Sequence, residues 1–315
     1  MGIAKGAGMS SGTTTKASPD TADAEAWQQT VSEDAEPMVR RPLGHSSNMV
    51  GLSTAYLASP DFNARPQSLE LPHVRATCGA LFEMLGEAED MADAVKAFHA
   101  YMAATFCLEA EQRDPLDKPG RKRPDDGTRR FRSSYLRLLK GWVFDSASPE
   151  GAVLKGWVES RFGLLPTWHG APIEYIPSPA WVRYVEQKMS SRFHGNSIHC
   201  QLDLVFTFCQ WMMRRFVLKG REHITLYRGV TTVCGGEDQI LERLDKRRAV
   251  ARFNSLTSFT GERDIADCFG DKILTVQVPA TKILFFDKLL PRHPLKGEAE
   301  YLVIGGDYEV EMSTL

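Results

Sequence analysis

The sequence predicts an α+β fold in which a helical N-terminal half packs on a β-rich C-terminal half. Up to about residue 218 the apolar residues recur at helical spacing, as in the stripe Ile198, Leu202, Phe206, Cys209, Met213 and Phe216. Beyond Lys219-Gly220 the pattern changes to short β-rich runs. These runs lack the regular alternation with helices that is typical of a doubly wound parallel sheet.

Composition divides the chain into three regions. Residues 1–40 are rich in Gly, Ser, Thr, Ala and acidic residues and contain a single large aromatic, Trp27, which predicts a disordered tail. We expect residues 41–222 to be mainly helical and residues 223–315 to form the β-rich core. Together, residues 41–315 are predicted to be one structural unit.

Within the helical region, apolar spacing predicts five helices, at about 74–85, 95–106, 131–142, 151–162 and 197–218. The segments Gly44–Leu52 and Tyr56–Pro60 are predicted to be an ordered loop with short turns. Residues 113–130 contain many helix breakers and form a predicted loop. A basic cluster lies in and just after it: Arg121, Lys122, Arg123, Arg129, Arg130 and Arg132.

In the β-rich region, strands are predicted at 224–230, 252–260, 272–278 and 283–286. Helices are predicted at 237–248, which is short and charged, and at 262–269. Two final strands, 301–304 and 308–310, flank Gly305-Gly306, which is a typical hairpin signal.

Composition also limits the function. The 315 residues carry a formal net charge of −2, so no global attraction to nucleic acid is expected. The six cysteines form no C-x-x-C pair and no complete metal-ligand spacing, so we expect reduced thiols and no metal site. No apolar run is long enough to span a membrane and no secretory signal is evident, which favours the cytoplasm.

Three polar features interrupt the apolar strands. They are Arg228 followed by Gly229, Ser258 with Thr260, and Glu298 with Glu300. Arginine is rarely buried without a partner, and its planar fork suits phosphate. A glycine beside it allows a ligand or another backbone to come close.

The two glutamates share a strand face, because residues i and i+2 of a strand point the same way. Like charges repel, and a carboxylate against apolar neighbours is costly unless it is paired. Taken alone, Glu298 and Glu300 are also compatible with two solvated acids at the start of a strand.

The three features, in this order, resemble the R-S-E class of arginine-specific mono-ADP-ribosyltransferases. The flanking Leu-Tyr-Arg228-Gly-Val, the Phe-Gly after Ser258 and Gly297-Glu-Ala-Glu300-Tyr-Leu are also similar to that class. This resemblance covers about residues 223–312 and implies a split β core of the ADP-ribosyltransferase type.

A closer resemblance, over about residues 41–312, is to the dinitrogenase reductase ADP-ribosyltransferase family. It is carried by residues 44–52, the following Ala-Tyr-Leu-Ala-Ser-Pro, and Phe-Asn-Ser-Leu-Thr-Ser-Phe-Thr. It implies NAD as substrate, an arginine of nitrogenase iron protein as acceptor, and a PII-type nitrogen-signal protein as possible regulator. Where many relatives have Ser-Thr-Ser, this chain has Ser258-Phe259-Thr260.

The resemblance also implies roles for the site residues. Cleavage of the nicotinamide–ribose bond gives an oxocarbenium-like cation, which Glu300 would stabilise while Ser258 orients it. Arg228 would hold the NAD phosphates. Gly229, Thr260 and Phe269 complete the predicted NAD-binding set, with Phe269 stacking on nicotinamide or, alternatively, packing in the core.

Glu298 is assigned a separate role. A guanidinium is a nucleophile only once it loses a proton, and a nearby carboxylate can accept that proton in the transition state. In the family a glutamate here accompanies arginine acceptors. No Rossmann or P-loop glycine motif is present, so NAD would bind in another way.

Two other functions remain open from the sequence. One is another R-S-E ADP-ribosyltransferase, or an NAD glycohydrolase, with a different target. The other is a module that senses NAD without turnover, although paired acids are unnecessary for binding alone.

Overall fold

The computed structural model describes residues 44–108, 133–190, 193, 195, 197–231, 238–289 and 299–314. These residues belong to one compact unit, Arg40–Leu315. The predicted tail, the basic cluster at 121–132 and Glu298 lie outside the described residues.

The described part of the first half is helical. Its helices are α1 Thr54–Leu57, α2 Pro60–Ala64, α3 Pro72–Thr77, α4 Gly79–Gly86, α5 Met91–Phe106, α6 Tyr135–Phe144, α7 Pro149–Phe162, α8 Pro179–Lys188 and α9 Ile198–Met212. A π-helical turn, Met213–Val217, continues α9. No described helix is long and apolar enough to cross a lipid bilayer.

Serine side chains fix the starts of α6 and α7. The Ser134 hydroxyl accepts a hydrogen bond from the backbone N–H of Arg137, and the Ser148 hydroxyl accepts one from that of Gly151. These caps satisfy backbone donors that a helix cannot pair internally. The buried face of α6 carries Tyr135, Leu138, Leu139 and Trp142. The capped register of α6 therefore sets where its buried side chains lie.

The second half forms an antiparallel sheet of six strands. They are β1 His223–Val230, β2 Gln239–Arg243, β3 Arg248–Thr260, β4 Lys272–Pro279, β5 Ile283–Phe286 and β6 Glu300–Thr314, with the short helix α10 Arg263–Asp267 after β3. The strand order is β2-β3-β1-β4-β6-β5, and β3 also pairs with β6. The predicted α+β class is confirmed.

The strands β1 and β3 are paired at only one position. They share the single pair Tyr227↔Thr260, whereas β1 pairs with β4 along its whole length and β3 pairs with β6 from Arg248 to Thr260. The sheet is therefore split between β1 and β3, next to Arg228 and Ser258.

Helices pack on this sheet through a shared core. The rings of Phe98 on α5 and Phe208 on α9 stack at 4.0 Å between centroids. From α9, the Gln210 side chain donates to the backbone oxygens of Ala280 and Ile283. This contact anchors the longest predicted helix to the start of β5.

The predicted hairpin at Gly305-Gly306 is wrong, because β6 runs without a turn from Glu300 to Thr314. A Cβ at Gly305 would lie 1.7 Å from the Asn254 carbonyl oxygen, and Gly306 has a φ of +116° beside the Ala58 backbone. The two glycines thus allow β6 to pass close to neighbouring backbone, which is another known role of glycine inside a strand.

The predicted charged helix at 237–248 is also wrong. Residues 239–243 form β2, which pairs with β3 from Gln239↔Arg252 to Arg243↔Ala249. Asp245 makes the turn, since its carboxylate accepts from the backbone N–H groups of Arg247 and Arg248, at 2.8 Å each. These hydrogen bonds lower the pKa of Asp245 to about 2. Strand pairing has overridden the helical propensity of this charged segment.

Candidate functional site

A cavity of about 380 Å³ opens beside the split in the sheet. It is lined by the end of α6 and by residues of β1, β3, α10 and β6. Six of the seven site residues predicted from the sequence line this cavity: Arg228, Gly229, Ser258, Thr260, Phe269 and Glu300. The seventh, Glu298, lies outside the described residues.

Ser258 and Glu300 are joined across neighbouring strands. Ser258 Oγ donates to Glu300 Oε1 at 2.6 Å, and the Glu300 residue is only 7% exposed. In the register of β3 on β6, Thr260 is paired with Glu300. Ser258 precedes Thr260 by two residues, so its side chain lies on the same face and next to Glu300. A hydrogen bond this short is typical of a hydroxyl donating to an ionised carboxylate.

The backbone just before Glu300 is constrained. Ala299 has a φ of +44°, which is uncommon for a residue with a side chain. Its carbonyl oxygen accepts from the Gly261 N–H at 3.0 Å, immediately after β3. This contact extends the β3–β6 ladder past its last residue pair and helps to hold Glu300 at the cavity.

Among the described residues, Asp238 and the Ser258 backbone both hold Arg228. Its Nε donates to Asp238 Oδ2 at 2.6 Å, and its Nη1 donates to the Ser258 carbonyl oxygen at 2.9 Å. The guanidinium lines the cavity with its orientation already set. An oriented guanidinium at a cavity wall suits a phosphate ligand, because less side-chain entropy is lost on binding.

Gly229 allows close approach of backbone. A Cβ at this position would lie 2.1 Å from the Ala266 carbonyl oxygen and 3.0 Å from Phe269 Cβ. Of the two reasons for a glycine considered from the sequence, the approach of another backbone is the one observed. The glycine therefore fixes how closely α10 and Phe269 pack on β1.

Phe269 is exposed rather than buried, with 62% of its surface accessible at the cavity. The alternative of a core phenylalanine is thus wrong, while stacking on nicotinamide stays a prediction. Thr260 is buried, and its hydroxyl accepts from the backbone N–H of Glu262 at 3.2 Å, next to the start of α10. This gives Thr260 a structural contact beside its predicted role in NAD binding.

Comparison with known proteins agrees with this geometry. Residues 47–312 match the family model described as Dinitrogenase reductase ADP-ribosyltransferase (DRAT). The chain belongs to the dinitrogenase reductase ADP-ribosyltransferase family. It is 53% identical over 276 residues to NAD(+)–dinitrogen-reductase ADP-D-ribosyltransferase from Rhodospirillum rubrum, a match covering 88% of this chain and 98% of the relative. No solved structure matches the chain significantly.

In this member of the dinitrogenase reductase ADP-ribosyltransferase family, two site residues were not predicted from the sequence. Asp238 pairs with Arg228, and the indole Nε1 of Trp142 donates to Ser258 Oγ at 2.8 Å. Trp142 lies 116 positions from Ser258, and its only local signal was a place on an amphipathic helix. Asp238 lay in a segment read as helix, which obscured its position opposite Arg228.

Within the described residues, no cluster of three or more His, Cys, Asp or Glu side chains could hold a metal ion. The cavity lining offers a guanidinium, hydroxyls, carboxylates and exposed aromatic rings. This donor set fits a ligand with phosphates, ribose hydroxyls and a planar ring.

Proposed function

We propose that this protein transfers ADP-ribose from NAD to an arginine side chain of nitrogenase iron protein, dinitrogenase reductase, and releases nicotinamide. The observation that carries the proposal is the buried Glu300 carboxylate, held by Ser258 in a cavity that also contains Arg228. The printed name of the relative from Rhodospirillum rubrum supports NAD as donor and dinitrogen reductase as acceptor.

In the proposed reaction the bond between nicotinamide nitrogen and ribose C1′ breaks, and its electron pair leaves with nicotinamide. Positive charge develops on the ribose, as in glycoside cleavage. Glu300 stabilises that charge because its carboxylate is fixed in advance by the Ser258 hydroxyl. The acceptor nitrogen then forms the new bond to C1′.

The remaining cavity residues bind and orient NAD. Arg228 contacts the phosphates with the guanidinium that Asp238 and the Ser258 carbonyl orient. Phe269 presents its exposed ring to the nicotinamide. These roles, like those of Gly229 and Thr260, are proposals that binding measurements on single variants test.

The acceptor preference rests on Glu298, whose role comes from the sequence and the family resemblance alone. The Glu298 carboxylate takes the proton from the attacking guanidinium. The variant Glu298→Ala should therefore lose arginine modification while retaining part of the NAD hydrolysis. Equal loss of both reactions would contradict the division of roles between Glu298 and Glu300.

The family resemblance supports two further proposals. The first is regulation by a PII-type nitrogen-signal protein, which co-purification of the two proteins under nitrogen-replete conditions tests. The second is a cytoplasmic location, consistent with thiols that are free at Cys78, Cys107, Cys200, Cys209 and Cys268. Fractionation of cells that express the protein tests the location.

The deciding experiment incubates the purified protein with labelled NAD and nitrogenase iron protein and then locates the label by mass spectrometry. One ADP-ribosylated arginine on the iron protein is the expected result. Free ADP-ribose without protein modification would favour a glycohydrolase or another target. Binding of NAD without nicotinamide release would favour a sensing module and overturn the proposal.

A further inference from the structure

Trp142 connects the helical half to the proposed catalytic pair. It lies on α6, is 4% exposed and lines the same cavity as Ser258 and Glu300. Its indole Nε1 is 2.8 Å from Ser258 Oγ, and that oxygen is in turn 2.6 Å from Glu300 Oε1. The three side chains thus form a continuous chain of hydrogen bonds from α6 to β3 to β6.

The direction of these hydrogen bonds follows from chemistry. An indole nitrogen only donates, and a serine hydroxyl has one proton and two acceptor lone pairs. Ser258 Oγ must therefore accept from Trp142, which directs its single proton to Glu300. Without the indole N–H, the hydroxyl could rotate and donate elsewhere.

We propose that Trp142 is a positioning residue, whose indole N–H orients the Ser258 hydroxyl so that it donates to the Glu300 carboxylate. The inference rests on the proposed function for the reaction in which Glu300 takes part, but the hydrogen-bond chain itself can be tested without turnover. It assigns a role at the site to the helical half, which contributes none of the predicted R-S-E residues.

The surroundings of Trp142 hold the indole in place. The Ser134 cap fixes the start of α6, and the Lys155 ammonium from α7 lies 5.7 Å from the centre of the Trp142 ring. Lys155 is fully buried and donates to the Trp168 carbonyl oxygen at 3.0 Å. A cation near the ring face is attracted to it, which favours the observed ring orientation.

A second buried tryptophan in the helical half provides a matched control. Trp157 on α7 is fully buried, and its indole donates to Asp203 Oδ1 at 2.8 Å. It does not line the cavity. The variants Trp142→Phe and Trp157→Phe each remove one buried indole hydrogen bond and retain an aromatic ring, but only the first affects Ser258.

The kinetic test compares these variants alone and in a Ser258→Ala background. We expect Trp142→Phe to lower kcat about three- to tenfold, the effect of one net hydrogen bond, with KM for NAD within about twofold. In the Ser258→Ala background it should have no further effect on kcat. Trp157→Phe should lower stability and leave kcat within about twofold.

Two kinetic results would overturn the proposal. One is an unchanged kcat in a folded Trp142→Phe variant. The other is a loss in kcat that multiplies with that of Ser258→Ala, because a purely structural role would act independently of the hydroxyl.

A spectroscopic test keeps the proposal falsifiable if Trp142→Phe fails to fold or if no acceptor protein is active. In protein with ¹⁵N-labelled indoles and no NAD, one of the six tryptophan N–H signals should shift in both Ser258→Ala and Glu300→Gln. In Glu309→Gln, which changes an exposed residue of the same strand, that signal should stay in place.

The two tests separate the two hypotheses. Coupled indole shifts without nicotinamide release in the wild type would retain the hydrogen-bond chain and reject the proposed function. Active enzyme whose indole signals are unaffected by Ser258→Ala and Glu300→Gln would retain the function and reject the role of Trp142.

Discussion

The Ser258 hydroxyl on β3 donates to the Glu300 carboxylate on β6 at 2.6 Å, so the proposed catalytic carboxylate is oriented before any substrate arrives. Replacing Glu300 by Gln keeps the side-chain shape but removes the negative charge. We expect nicotinamide release to fall at least ~10²-fold, in line with the loss of a catalytic carboxylate. Release is measured with labelled NAD, and thermal unfolding verifies that the fold is intact.

Glu309→Gln is the matched control for this prediction. Glu309 lies on the same strand, and its carboxylate forms an exposed ion pair with Arg248 at 3.1 Å. Exposed pairs contribute little, so activity and stability should both stay near wild type. A Glu300→Gln variant as active as Glu309→Gln would contradict the assignment.

Substitution of Arg228 by Lys tests the proposed phosphate contact. Lysine lacks the planar fork with which arginine can reach Asp238, the Ser258 carbonyl and a phosphate together. We expect KM for NAD to rise at least about tenfold, equivalent to about 1.4 kcal/mol of lost binding. Steady-state kinetics at varied NAD concentrations measure the change.

Arg252→Lys controls for the general effect of losing an arginine. Arg252 on β3 makes a bidentate pair with Asp307, at 2.6 and 2.7 Å, and does not line the cavity. Its replacement should lower stability with KM for NAD unchanged. If both variants raised KM equally, Arg228 would have no special part in binding NAD.

Gly229→Ala should disturb the contact between β1 and α10. The added methyl group would lie 2.1 Å from the Ala266 carbonyl oxygen, so α10 and Phe269 must shift. Overpacking of this kind costs about 1–3 kcal/mol of unfolding free energy. We also expect a higher KM for NAD, since Phe269 moves with the backbone, and denaturant unfolding with kinetics measures both effects.

The same substitution at Gly79 is the control. Apart from its chain neighbours and its own helix backbone, no described heavy atom lies within 4 Å of a Cβ built there, and its backbone is helical. Alanine favours helix over glycine, so stability should be unchanged or slightly higher. A Gly229→Ala variant as stable and active as Gly79→Ala would contradict the proposed close packing.

The buried Lys282 should make the protein more stable as the pH rises above about 7. It is fully buried, and burial lowers its pKa to about 7, an effect that Asp307 partly opposes. Its ammonium lies 5.1 Å from the Phe62 ring centre and 4.8 Å from that of Tyr308. Around the Lys282 ammonium, the hydrating water of the unfolded chain is therefore replaced mainly by two aromatic rings and by the backbone oxygen of Gly305 at 3.4 Å.

The sign follows from proton binding. Between about pH 7 and the unfolded pKa of 10.5, the unfolded chain holds the Lys282 proton more tightly than the folded one, so the free energy of unfolding rises with pH. From pH 7 to 9, wild type should gain about 2 kcal/mol relative to Lys282→Met. Urea unfolding at both pH values measures this gain.

Lys288→Met serves as the control, because Lys288 is exposed. Its unfolding free energy should follow that of wild type at both pH values. Parallel pH curves for wild type and Lys282→Met would show that burial does not perturb the lysine.

Local patterns predicted most strands and the position of the polar residues within them. The sequence alone identified three of the site residues, Arg228, Ser258 and Glu300. Each interrupts a short apolar run that can be recognised as a strand from its composition and length. Their convergence in one cavity depends on the pairing of β3 with β6 and on the contact of β1 with the end of β3, which no local pattern contains.

The errors share a physical cause. A Gly-Gly pair such as Gly305-Gly306 is typical both of a turn and of a strand that passes close to other backbone. Only the tertiary contact with the Asn254 carbonyl oxygen shows which of the two applies. Residues 239–243 became a strand because β3 offers an edge to pair with. Helix α8 was not predicted, and the contact of Trp142 with Ser258 spans 116 positions, beyond any periodicity.

Arg228 also has a structural role, because β1 and β3 share a single residue pair. Because the two strands part next to it, the bond from Arg228 to the Ser258 carbonyl ties them together in the absence of NAD. This hydrogen bond is structural and does not depend on the transfer reaction. In surveys of genomes, therefore, an arginine at this position is a poor marker of a working enzyme, and the glutamate equivalent to Glu300 is the better one.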